Sequence, residues 1–67
     1  MNPLMTGRMV CWKKEVTSRP SLNFIRANQG IRLGDVGLVV SQSVTELQVL
    51  IKDQIVFFHT MEVEVVQ

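Results

Sequence analysis

The chain has 67 residues, enough for one domain, and a domain of that size buries only about 60% of the surface its unfolded form exposes. A single cysteine excludes an intrachain disulfide, one cysteine with one histidine cannot build a structural zinc site, and no apolar run approaches the ~20 residues of a membrane-spanning helix. Net charge is only +1, yet residues 1–33 carry Arg8, Lys13, Lys14, Arg19, Arg26 and Arg32 against Glu15 (+5), while residues 34–67 carry Lys52 against Asp35, Glu46, Asp53, Glu62 and Glu64 (−4).

In one fold these fields partly cancel, so strong general attraction to DNA is not implied. The lone thiol fits a reducing compartment, and the amino terminus lacks a basic segment followed by a long apolar one. A cytoplasmic protein is expected, or a virion component if the chain is viral.

Residues 1–6, punctuated by Pro3 and Gly7 and holding Leu4 and Met5, read as a flexible or docking tail ahead of a single domain over residues 7–67. Arg8 to Trp12 is the first expected strand, with Met9 and Cys11 on one side and Arg8, Val10 and Trp12 on the other. Neither face is cleanly polar. From Lys13 to Leu33 alternation fades and turn residues accumulate, predicting a long loop pinned by Leu22, Phe24 and Ile25 or holding a short strand. Connections beyond about 12–15 residues are often functional, which makes 13–33 a candidate site.

Gly34-Asp35-Val36-Gly37 predicts a sharp turn by glycine geometry, and its spacing does not fit a dinucleotide fingerprint. Period-two patterning then governs the rest. Strands are expected over Gly37–Gln42, Thr45–Ile51, Gln54–Phe58 and Val63–Gln67, with Leu47, Val49 and Ile51 sharing one face. Lys52-Asp53 reads as a tight hairpin lacking the usual glycine. Ile55 to Phe58 is continuously apolar, the pattern of a strand covered on both faces or exposing a binding patch. The fold class is all-β: a small barrel of about five antiparallel strands with a long loop after the first.

The order strand, long loop, three-strand meander, single turn, last strand resembles the SH3-like small β-barrel over about residues 7–66. The likeness rests on Gly7-Arg8-Met9-Val10-Cys11-Trp12, on Gly34-Asp35-Val36-Gly37-Leu38-Val39-Val40, and on Phe57-Phe58-His59-Thr60-Met61-Glu62-Val63-Glu64-Val65-Val66. The layout is similar to that of short bacteriophage proteins, and it implies a phage-encoded particle component or host-factor modulator. The central hairpin also resembles KOW-type modules, whose basic and aromatic RNA-contacting positions are not clearly matched. The chain has no tyrosine, so the paired tyrosines that signalling SH3 domains use for proline-rich ligands are missing.

No set of residues assembles a nucleophile, a base and an orienting group, so an enzyme is not expected. Cys11 and His59 would need adjoining first and fourth strands, and a thiol in an apolar strand is usually inert. Glu62 and Glu64, two apart, read as a solvated edge that discourages aggregation. No cofactor or metal is called for.

Two kinds of binding remain. A domain this small gains from burial against a protein partner or a second copy, and Leu4, Met5, Trp12, Phe24 and Phe57 are candidate contacts, with Met9 and Phe58 adding to the apolar surplus. The alternative is RNA, single-stranded DNA or a nucleotide held by a basic rim of Lys13, Lys14, Arg19, Arg26 and Arg32, with Trp12 or Phe24 stacking on a base. No membrane association is expected.

Overall fold

The computed structural model describes residues 5–15 and 20–66. In chain order these form β1 (Met9–Trp12), α1 (Pro20–Asn28), β2 (Val36–Gln42), β3 (Glu46–Ile51), β4 (Gln54–His59), a 3-10 turn (Thr60–Glu62) and β5 (Val63–Val65). The strands make one five-stranded antiparallel sheet in the order β4-β3-β2-β1-β5. Among the described residues no pairing joins β4 to β5, and the sheet is not closed into a barrel by hydrogen-bonded strands.

Alternation decides which side chains meet inside. Val10 and Trp12 from β1, Val39 from β2, Leu47, Val49 and Ile51 from β3, and Val56 and Phe58 from β4 point to one face and pack with Ile31. These nine side chains are nearly inaccessible, and Met5 and Val63 pack against them. Gly37 faces inward where β2 crosses β3 closely. A Cβ there would sit 2.6 Å from Leu50 O and from Val49 Cγ1, so the position excludes any side chain. Between Val39 and Ser41 the β2–β3 register shifts by a bulge, leaving both Val40 and Ser41 near Gln48.

The expected loop over 13–33 contains a helix instead. Pro20 stands at its first position, where a missing N–H costs nothing, and Gly30 (φ +78°) lies just past its end. Gly30 N–H donates to Ala27 O (3.0 Å) and Ile31 N–H to Arg26 O (2.9 Å), the paired bonds of a Schellman stop. That stop turns Ile31 straight into the core. Apolar periodicity could not reveal this helix because it is inverted: Phe24 is 69% and Ile25 53% exposed, whereas Arg26 is buried.

Lys52 (φ 51°) and Asp53 (φ 61°) both adopt left-handed backbone between the paired residues Ile51 and Gln54, the two-residue hairpin expected from sequence. Left-handed backbone costs a residue with a Cβ roughly 1–2 kcal/mol. Asp53→Gly is therefore expected to stabilise the fold by about 1 kcal/mol, read as a rise of roughly 4–8 °C in the thermal midpoint. Circular dichroism melts of the two proteins check it.

Candidate functional site

Among the described residues, the buried charged cluster lies at the open seam of the sheet. Arg26 (2% exposed) reaches inward from α1, and Glu62 (1%) turns in from the 3-10 turn. Their carboxylate and guanidinium pair side by side, Nη1 to Oε2 at 2.5 Å and Nη2 to Oε1 at 2.8 Å. Arg26 Nε and Nη2 donate to Phe57 O at 3.1 and 2.7 Å, and Nη1 donates to Asn23 Oδ1 at 3.2 Å. All five N–H donors of the guanidinium are used. Its plane also lies 4.4 Å from the Phe58 ring centroid and 4.9 Å from that of Trp12, and these two rings meet edge to face at 5.4 Å.

Local backbone geometry holds Glu62 in place. His59 N–H donates to Glu62 Oε1 (2.8 Å) and Met61 N–H to His59 Nδ1 (3.2 Å), a reciprocal cap over the 3-10 turn. Glu62 O in turn accepts from the backbone of Lys13 and Lys14, which ties the turn to the end of β1.

Several expected roles are corrected by this arrangement. Arg26 cannot belong to a basic rim, because its charge is spent inside the fold. Trp12 (3% exposed) cannot dock a partner or stack on a base: it fills the core, one ring face is taken by Arg26, and its Nε1 donates to Lys14 O (2.8 Å). Glu62 is not part of a solvated edge. Glu64 is, and Lys13 Nζ lies 3.3 Å from its carboxylate.

Lys14 and Arg32 are exposed, whereas Leu4 and Arg19 fall outside the described residues. Asp35 accepts from Arg32 N–H (2.9 Å) and lies 3.2 Å from Lys52 Nζ. The backbone bond from Arg32, aided by the Lys52 ammonium, holds its carboxyl below the usual carboxylate range. The cations that stay outside are thus partly engaged with acids, and the rim is not assembled from the five residues.

Cys11 and His59 lie on strands that do not adjoin. β1 and β4 are separated in the sheet by β2 and β3; Cys11 Sγ contacts Gly34 O (3.4 Å), and His59 Nδ1 caps the 3-10 turn. Among the described residues no cluster of three metal-ligating side chains occurs, and no helix is long and apolar enough to cross a membrane.

The surface that remains is the outer face of the sheet. Strand register sets Met9 opposite Leu38, Leu38 opposite Leu50, and Leu50 opposite Ile55. Val66, whose N–H donates to Met9 O (2.9 Å), extends this row past β5. One apolar row therefore crosses β1 to β4 and continues to Val66, just past the end of β5. Val36 flanks it on one side and Val40 and Phe57 on the other, each 39–50% exposed. Beyond the edge of β4, Ile25 and Gln29 of α1 join Ile55, Val56 and Phe57 around a groove of about 250 Å³ floored by Arg26.

Of the expected contact residues, Phe57 lies on this surface and Phe24 is exposed on the adjoining helix; Met5 is half-buried, with its N–H donating to Gln42 Oε1 (2.6 Å). Sequence patterning did not name Leu38, Leu50 or Ile25 as contacts, and it reached Ile55 only as part of the run Ile55 to Phe58 that could expose a binding patch. The available signal was strands apolar on both faces, Leu38-Val39-Val40 and Ile55-Val56-Phe57-Phe58. Compared with protein-family models, with curated proteins and with solved structures, the chain matches none.

Removing one member of a buried ion pair costs about 3–5 kcal/mol, because the other charge is left without compensation. A 67-residue domain has roughly 3–10 kcal/mol of stability to lose. Arg26→Met and Glu62→Leu are each expected to abolish or nearly abolish folding, and the double variant to be more stable than either single one. Urea titrations of the three variants check the sign of that coupling.

Proposed function

We propose that this chain is a non-catalytic, SH3-like binding module that works by protein contact, and that the contact surface is the outer face of its sheet. One observation carries the proposal: the row Val66, Met9, Leu38, Leu50, Ile55 on a face that soluble antiparallel sheets usually make polar. With its flanking rows this patch exposes on the order of 500 Å² of apolar surface, the upper range for a monomeric domain, where such patches mark interaction sites. The strand order, the excursion between β1 and β2 and the 3-10 turn before β5 support the SH3-like layout. On its resemblance to short bacteriophage proteins, the same surface would serve a particle component or a modulator of a host factor.

Nucleic-acid binding is the weaker proposal, since Arg26 and Trp12 are withdrawn from the surface and Lys13 is paired with Glu64. Salt separates the two. Protein captured by the tagged chain from extracts of its own cells, a copy of the chain included, is expected to stay bound between about 50 and 200 mM salt. It is expected to be lost with Leu50→Lys and kept when Lys13, Lys14 and Arg19 become alanine. Retention of a labelled single-stranded oligonucleotide that falls steeply over that salt range, and is abolished by the alanine changes, would contradict the proposal.

A further inference from the structure

We infer that the occupant of the outer face is a second copy of this chain, seated sheet against sheet about a two-fold axis. This rests on the protein-contact function proposed above and names its partner. The inference starts from what the face lacks. Within the central row and the rows flanking it, the charged side chain among the described residues is Glu64 at one end, already met by Lys13; the polar ones are Ser41 and Gln48, between Val40 and Phe57, and Cys11 is buried. A partner of different sequence is selected largely by charge and hydrogen-bond complementarity, and this surface has few groups with which to select one. Nothing on it repels its own image.

Register makes the surface compatible with itself. A two-fold axis lying in the face and running along the row places each member opposite its own copy. An axis across the row between Leu38 and Leu50 sets Leu38 against the copy's Leu50 and turns the β4 end toward the β5 end. In both cases apolar row meets apolar row, at the roughly 10 Å spacing of packed sheets.

Area is the second support. Two copies covering about 500 Å² each, with the Ile25 and Phe57 margin closing over the groove, would remove a little over 1,000 Å² from water, the lower bound for a specific interface. A weak, reversible dimer is expected, and area of this size does not fix its affinity. The protein also gains from it, because among the described residues its core holds nine buried apolar side chains and every additional one counts in a domain this short.

The test is sedimentation of the purified full chain from micromolar to millimolar concentration. Leu50→Lys is compared at the row, and Val44→Lys, at a residue 75% exposed in the β2–β3 turn, away from it. Wild type and Val44→Lys are expected to reach twice the monomer mass, and Leu50→Lys to weaken the dimer at least tenfold while keeping the wild-type circular dichroism spectrum. If Leu50→Lys fails to fold, contacts read by isotope-filtered NMR on a mixture of labelled and unlabelled wild type decide instead. Intermolecular signals among the Leu38, Leu50 and Ile55 methyls are then expected.

A wild-type chain that stays monomeric at millimolar concentration would overturn self-pairing. So would a dimer indifferent to Leu50→Lys, or one whose intermolecular signals come from elsewhere. None of these results touches the wider proposal of protein contact, which is tested by the salt-resistant capture and the oligonucleotide retention described above.

Discussion

The fold depends on one guanidinium. An antiparallel sheet in the order β4-β3-β2-β1-β5 leaves the outer edges of β4 and β5 without strand partners, and Arg26 stands at that seam. Its bonds to Phe57 O satisfy the edge of β4, its pairing with Glu62 holds the segment leading into β5, and it packs against the rings of Trp12 from β1 and Phe58 from β4. Burying two charges costs several kcal/mol each, and the cost is offset only when geometry is good and the remaining donors are satisfied. Here each N–H of the guanidinium has an acceptor, and no buried side-chain nitrogen or oxygen among the described residues lacks one. The pair is less a source of stability than a device that joins four elements in a single arrangement.

That device explains the inverted helix. To deliver Arg26 inward, α1 turns Asn23, Arg26 and Gln29 toward the sheet, and the same rotation sends Phe24 and Ile25 to solvent beside the edge of β4. Gln29 adds to the attachment, its carbonyl accepting from Gln54 Nε2 at 2.9 Å. The apolar margin of the outer face is thus a consequence of the polar seam. A helix that hides an arginine and displays a phenylalanine departs from ordinary amphipathicity.

The meander was legible in the sequence because its physics is local. Leu47, Val49 and Ile51 alternate with Glu46, Gln48 and Leu50, and a two-residue gap fixes the register to Gln54. The helix was not, because Phe24 and Ile25 do not mark its buried face. Pro20 and Gly30, one just inside and one just outside the ends, were the sole bracket. The ion pair was invisible for another reason: charged residues are read as solvated unless paired, and these partners lie 36 positions apart. The outer row was half legible, since Ile55 to Phe58 signalled two apolar faces, but only the register shows that β1 to β4 line up their apolar residues.

The most direct measurement of the central claim is the side-chain Nε–H of Arg26 by nitrogen-15 NMR. Buried against two rings and bonded to Phe57 O, it should give a separate resonance, exchange slowly with water at neutral pH, and show contacts to the Trp12 and Phe58 ring protons. An Nε–H at the position of solvent-exposed arginines and exchanging rapidly, while the amides of β2 and β3 stay protected, would mean that the sheet holds together without the guanidinium.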